Sequence, residues 1–123
     1  MVLGIGIDLV DVKRIDKLIQ VWGAKFTSKL FTQNEIDYCA GKHNGAECFA
    51  ARFAAKEALA KALGHGWCKH FRWTDVEICR APSGQPSFKV GGITQGLVAN
   101  KHVLLSLSHT RRQAAAVVTV EDE

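Results

Sequence analysis

Hydrophobic spacing divides the 123-residue chain into recognisable elements, and the most distinctive is the run Asn44 to Gly66, NGAECFAARFAAKEALAKALGHG. An Asn able to cap a helix is followed three residues later by Glu47, then by strong helix formers, with Gly64 just past the end. On a helical wheel Glu57 is flanked by Ala50, Phe53, Ala54, Ala60 and Lys61, while Cys48, Ala51, Ala55, Leu59 and Ala62 occupy the opposite side. A helix apolar almost all round is normally buried. The pattern therefore predicts a carboxylate, Glu57, held near a core, where a cation, a metal or hydrogen bonds must compensate it.

The remaining periodicities predict a sheet for this helix to cross. From Met1 to Leu9 the chain alternates, with Leu3, Ile5, Ile7 and Leu9 on one face and Gly4, Gly6 and Asp8 on the other. A half-buried strand with a polar end satisfies this pattern. A second reading is that the glycines clear the face from which Asp8 projects, leaving room for a ligand or a second backbone. G-x-G lacks the third glycine of a dinucleotide fingerprint. Asp11 then resembles an N-cap, and Val12, Ile15, Leu18, Ile19 and Trp22 form a helical stripe ending at Gly23. Its outer face carries Lys13, Arg14 and Lys17, opposed only by Asp16.

Thr32 and Glu35 form a capping box for a short helix ending near Ala40–Gly41. Lys25, Phe26, Lys29, Leu30 and Phe31 lie before it and suit either a docking surface or a satellite core cluster. The second half is a series of strands: Thr74–Cys79, Ser87–Val90 after a turn at Ala81–Pro86, His102–His109, and Ala114–Val120, with a short helix around Ile93–Val98. Strands at hairpin spacing after a run of helices predict an α+β fold. Its mainly antiparallel sheet packs against the long central helix, with short N-terminal helices beside it. No linker or repeat interrupts residues 1–123, which read as a single domain.

Composition narrows the class. Hydrophobic residues at 47% and charged ones at 23% are globular values, excluding a disordered chain. No apolar run approaches the ~20 residues of a spanning helix, and the start lacks a signal-peptide pattern, so a soluble, cytoplasmic protein with no membrane partner is expected. Cys39, Cys48, Cys68 and Cys79 show no C-x-x-C spacing and are expected to be reduced. The net charge of +4 favours an acidic partner: nucleic acid, a nucleotide-like ligand or an acidic protein.

Asp8 and Glu57 are the outstanding chemistry. Brought together, two carboxylates would share one Mg²⁺, a cation that keeps waters and is completed by substrate phosphates, whereas zinc is disfavoured by the absence of neighbouring His or Cys. Lys61 lies one turn after Glu57 and suits either an ordinary ion pair or a phosphate contact. Lys56 and Arg52 form another turn-related pair that points elsewhere. Gly64-His65-Gly66 is too short for a P-loop, yet its backbone N–H groups can approach an anion. His109 fits an interior histidine or, with Thr110, Arg111 and Arg112, an anion-binding turn. A non-enzymatic, basic nucleic-acid-binding domain is the alternative from another class, and it leaves Asp8 and Glu57 unexplained.

Taken in order, Gly4-Ile-Gly-Ile-Asp8 with Arg14-Ile15, Arg52-Phe-Ala-Ala-Lys56-Glu57-Ala58 with Lys61-Ala62 and Gly64-x-Gly66, Gly84-Gln-Pro86, and Ser106-Leu-Ser108-His109 resemble the holo-acyl-carrier-protein synthases. These are the small bacterial phosphopantetheinyl transferases, and the resemblance extends from Met1 to Val120. It implies their fold and their reaction: transfer of 4′-phosphopantetheine from coenzyme A to a serine of apo acyl carrier protein, releasing 3′,5′-ADP, in fatty acid biosynthesis. It also implies Mg²⁺, with Mn²⁺ as a possible substitute, held by Asp8 and Glu57. Glu57 and Lys61 are the implied catalytic groups. Coenzyme A contacts are implied for Lys61, Gly64, His65, Gly66, Gly84, Pro86, Ser108, His109 and Thr110. The basic first helix, with Lys13, Arg14, Lys17 and Phe26, is implied to face the acidic carrier protein. A homotrimer with active sites between subunits is implied as well, and nucleic acid is not a partner. His65 departs from the family's common Gly-Thr-Gly and removes a hydroxyl from that loop.

Overall fold

A computed structural model describes residues 1–64 and 71–123. In chain order it contains β1 (Val2–Asp11), α1 (Val12–Trp22), α2 (Ala24–Leu30), α3 (Gln33–Ala40) and α4 (Gly45–Leu63). A 3₁₀ turn (Trp73–Asp75) then leads to β2 (Val76–Arg80) and β3 (Pro86–Val90). A second 3₁₀ turn (Gly92–Thr94) runs into α5 (Gln95–Val98), followed by β4 (Lys101–His109) and β5 (Gln113–Asp122). The strands form two antiparallel sheets, β1-β5-β4 and β2-β3, and α4 lies across β1 and β5. This is the α+β arrangement expected from the pattern.

The long helix is buried along most of its length, as an all-round apolar sequence requires. It ends where Gly64 adopts the left-handed conformation and donates its N–H to the carbonyls of Ala60 and Lys61. At the other end Asn44 occupies the cap position but its side chain makes no capping bond, contrary to expectation. Asp11 likewise caps α1 by position only, because its carboxylate accepts from the Gln113 side chain instead. The capping box at Thr32 and Glu35 forms as predicted.

The glycine face of β1 is the face that meets α4. A Cβ on Gly4 would lie 1.9 Å from the carbonyl oxygen of Ala62, and one on Gly6 would lie 1.9 Å from that of Ala58. The cleared space is thus filled by a second backbone, with Ala114, Ala116, Val118 and Val120 of β5 continuing the contact surface. The usual amphipathic arrangement is inverted as a result. Leu3, Ile5, Ile7 and Leu9 point away from the helix, and Ile5 and Ile7 are 67% and 68% exposed.

Two features escaped the sequence pattern. The segment before Thr32 is a helix, α2, in which Phe26 is half-buried, while Phe31 just after it belongs to the core. Cys39 and Cys48 are joined in a disulfide, correcting the expectation of free thiols; Cys79 is free and Cys68 lies outside the described residues. The turn between α3 and α4 reverses the chain and brings the two sulfurs together. Gly45 is needed there, since a Cβ would stand 2.8 Å from the Cys39 carbonyl oxygen.

Below this turn, Lys56 and Glu35 form a fully buried ion pair at 2.7 Å. The ammonium also donates to the carbonyls of Leu30 and Trp73, and Glu35 accepts from the backbone N–H groups of Thr32 and Ile78. Every partner a buried pair needs is therefore present. Burial pushes the Lys56 pKa down, and the charge of Glu35 opposes that shift.

Gly6→Ala should lower unfolding free energy by about 3 kcal/mol or more, measured by chemical denaturation, because the added methyl meets backbone that cannot rotate away. Wild-type stability in that variant would contradict the close contact. Separately, reducing the Cys39–Cys48 bond should cost about 2–3 kcal/mol, as expected for so short a closed loop.

Candidate active site

Asp8 projects from the helix-facing side of β1 immediately beyond the glycines, and Glu57 and Lys61 lie on the adjoining face of α4. Lys61 Nζ donates to Asp8 Oδ1 and to the carbonyl oxygen of Ile7, both at 3.0 Å. The i,i+4 ion pair that spacing allowed between Glu57 and Lys61 is replaced by this contact with the strand. Asp8 Oδ2 is buried without a hydrogen-bond partner. Glu57 is half-buried, and its pKa is raised by burial and then by the charge of Asp8; Lys61 and Arg14 pull in the opposite direction.

An orphaned carboxylate oxygen beside a second carboxylate with a raised pKa is an arrangement that a hard cation would relieve. Among the described residues, no group of three or more His, Cys, Asp or Glu forms a ready metal cage. A cation on Asp8 and Glu57 would accordingly be completed by waters and phosphate oxygens, which suits Mg²⁺ better than zinc. The donor set fits the expected metal.

The other expected residues gather elsewhere. His109 Nδ1 is 3.5 Å from Glu47 Oε1, at the N-terminal end of α4. It lines a cavity of about 280 Å³ with Tyr38, Lys42, Arg52 and Arg80. Lys42 and Arg52 both sit over the Tyr38 ring, at 4.6 and 4.8 Å from its centroid, and a hydrogen bond from Lys42 lowers the phenol's pKa. Arg52 is buried, which lowers its own pKa, and its Nε has no partner. Gly84 is in the β2–β3 turn with φ of 90°, where its carbonyl accepts from Arg80, and Pro86 starts β3. Ser108 and Thr110 are exposed at the end of β4.

Arg52 precedes Glu57 by five residues, so the two point about 140° apart around α4. The chain brings Asp8, Glu57 and Lys61 together, but it places the His109 and Arg52 group on the opposite side of the helix. His65 and Gly66, both expected at the site, lie outside the described residues. Tyr38, Lys42 and Arg80 were missed by sequence reasoning. The Tyr38–Lys42 spacing of one helical turn was a possible signal, but only the fold puts Arg52 and Arg80 beside it.

A family model for the 4′-phosphopantetheinyl transferase superfamily matches residues 4–118. The chain belongs to that superfamily. It is 45% identical to a holo-[acyl-carrier-protein] synthase of Koribacter versatilis, over 99% of this chain and 100% of the relative. A synthase of the same description from Chlamydia trachomatis is 46% identical, over 96% and 98% of the respective chains. Among solved structures, the Neisseria meningitidis holo-[acyl-carrier-protein] synthase matches with a TM-score of 0.91 at 31% identity, covering 99% of this chain and 100% of that one. The Bacillus anthracis synthase in complex with CoA (3′,5′-ADP) matches with a TM-score of 0.85 at 34% identity, covering 100% and 99%.

Glu57 also provides a pH test. A carboxyl whose folded pKa is raised stabilises the fold while protonated, and that contribution is lost as pH rises through the folded value. With a chelator present, Glu57→Gln should therefore melt at a higher temperature than wild type at pH 7.5, with the difference shrinking toward pH 4. Equal melting temperatures at pH 7.5 would show that Glu57 is not an electrostatic burden on the metal-free fold.

Proposed function

We propose that this protein transfers 4′-phosphopantetheine from coenzyme A to a serine of an acidic apo acyl carrier protein, serving fatty acid biosynthesis in the cytoplasm. The observation that carries this reading is the Asp8–Glu57–Lys61 group at the α4–β1 contact, with one carboxylate oxygen unpartnered.

In the reaction the serine oxygen bonds to the phosphorus bearing pantetheine, and the pyrophosphate P–O bond breaks to release 3′,5′-ADP. Such transfers depend mainly on positioning and on neutralising phosphate charge. Asp8 and Glu57 would hold Mg²⁺, or Mn²⁺ in its place. When bound, the ion neutralises the pyrophosphate and improves 3′,5′-ADP as a leaving group. Glu57, held on the face of α4 that meets Asp8, is the acceptor for the serine proton. Lys61 uses two of its three N–H donors on Ile7 and Asp8, leaving one for a phosphate oxygen. The Lys42, Arg52, Arg80 and His109 cavity is the natural receptor for another phosphate of the nucleotide. Gly64, His65 and Gly66, with Gly84, Pro86, Ser108 and Thr110, complete the contacts to coenzyme A.

These two groups on opposite sides of α4 would meet through a neighbouring copy. The outward face of β1, with Ile5, Ile7 and Leu9 exposed and Val117 beside Ile7 on β5, is an apolar surface of the kind that oligomers cover. A homotrimer would bury it and set one copy's His109 side against the next copy's Asp8 side. Carrier docking is assigned to Lys13, Arg14 and Lys17 with the groove around Phe26, Trp22 and Leu18. Nucleic acid is not a partner in this reading.

Incubation with coenzyme A, Mg²⁺ and apo carrier protein should add one phosphopantetheine to the carrier by mass spectrometry, and Glu57→Gln should slow transfer by about 10²-fold or more. No gain with several carriers, together with salt-sensitive nucleic-acid binding, would sink the transferase reading. Ile7→Lys should convert the oligomer to monomers by sedimentation and abolish transfer; unchanged sedimentation would rule out this face as the interface.

A further inference from the structure

The turn between β4 and β5 brings two arginines to the start of α1. Arg111 and Arg112, with Lys13, Arg14 and Asp11, line an open cleft of about 610 Å³. The turn is tied in place from several directions. Arg112 accepts a backbone hydrogen bond from Val12 at 2.9 Å, and the Gln113 side chain donates to Asp11 at 3.3 Å. Thr110 Oγ1 accepts from the N–H groups of Arg112 and Gln113 at 3.2 and 3.1 Å. None of these bonds uses a guanidinium. The turn is held by its backbone, while both arginine side chains are exposed and without a carboxylate partner among the described residues.

Four cations face one another here, and the single acid lining the cleft, Asp11, is already engaged by Gln113. Mutual repulsion of this kind does nothing for the fold. It is relieved when a negative surface arrives. The cleft also adjoins the chemistry, because Arg14 is close enough to Glu57 to act on its charge. Its cations stand on two different elements, a hairpin turn and a helix, spread around an open concavity rather than closed over one small anion. That shape fits an extended acidic surface better than a single phosphate.

We propose that Arg111 and Arg112 form a second anchor for the acidic carrier protein, extending the docking face from α1 onto the β4–β5 turn. Together with Lys13 and Arg14, they grip acidic side chains next to the carrier's reactive serine and hold it over Glu57. This rests on the transferase reading. The two arginines act on recognition and encounter rate, not on the chemical step.

The test is steady-state transfer with wild type, Arg111→Gln/Arg112→Gln and Arg111→Glu/Arg112→Glu, varying carrier protein and coenzyme A separately at several salt concentrations. The neutral variant should raise the KM for carrier roughly tenfold at low salt, with a weaker salt dependence, because loss of charges at an interface mainly affects association. Its kcat and its KM for coenzyme A should stay at wild-type values, and charge reversal should worsen only the carrier term. An unchanged carrier KM in both variants overturns the proposal, as does an increase confined to coenzyme A, which would place the turn on the nucleotide. Displacement of an oligonucleotide, rather than of carrier protein, by the same substitutions would also overturn it. Circular dichroism confirms that the variants fold. Failure of wild type itself to transfer would fault the enzymatic reading rather than this surface.

Discussion

The close approach of α4 to β1 is the constraint on which the rest depends. Helix and strand touch backbone to backbone at Gly4 and Gly6, where any side chain would collide with the carbonyls of Ala62 and Ala58. That contact sets the distance between a carboxylate at the end of the glycine face and two charged residues on the helix. It explains why Lys61 reaches Asp8 instead of Glu57, and why the second oxygen of Asp8 is left inside without a partner. It also forces the bulky half of β1 outward, so the same alternation that brings Asp8 to the helix leaves an apolar face exposed.

Charge on α4 is partitioned by helix geometry. Glu57 and Lys61 face β1, Lys56 turns into the core to meet Glu35, and Arg52 points toward Tyr38 and the disulfide. The Lys56–Glu35 pair, saturated with backbone partners from three separate segments, fixes the rotation of the helix at the residue next to Glu57. Breaking one half of such a pair costs far more than an exposed ion pair does. The rotational setting that presents Glu57 to Asp8 is thus held from beneath. Groups on the far side of the helix, Arg52 among them, cannot swing round to join it.

Much of this was legible in the residues. The all-round apolar helix, its carboxylate, the glycine-cleared strand face and the capping box at Thr32 each depend on local pattern, and each appears where the pattern places it. What stayed hidden depends on tertiary geometry. The direction of the Leu3–Leu9 face could not be read from alternation, since period two identifies two faces without saying which is covered. α2 was missed because its seven residues mix lysines with aromatics and offer too short a stripe. The Cys39–Cys48 bond arises from a chain reversal rather than a spacing motif, and the Tyr38, Arg52 and Arg80 cavity from three elements meeting.

The proposed divalent-cation site formed by Asp8 and Glu57 at the α4–β1 contact is open to direct measurement. Its most direct test is titration of Mn²⁺ followed by electron paramagnetic resonance, in the presence of coenzyme A, with wild type, Asp8→Asn and Glu57→Gln. One tight Mn²⁺ site per chain is expected in wild type, with marked weakening in either variant. Equal Mn²⁺ affinity in all three proteins would contradict it.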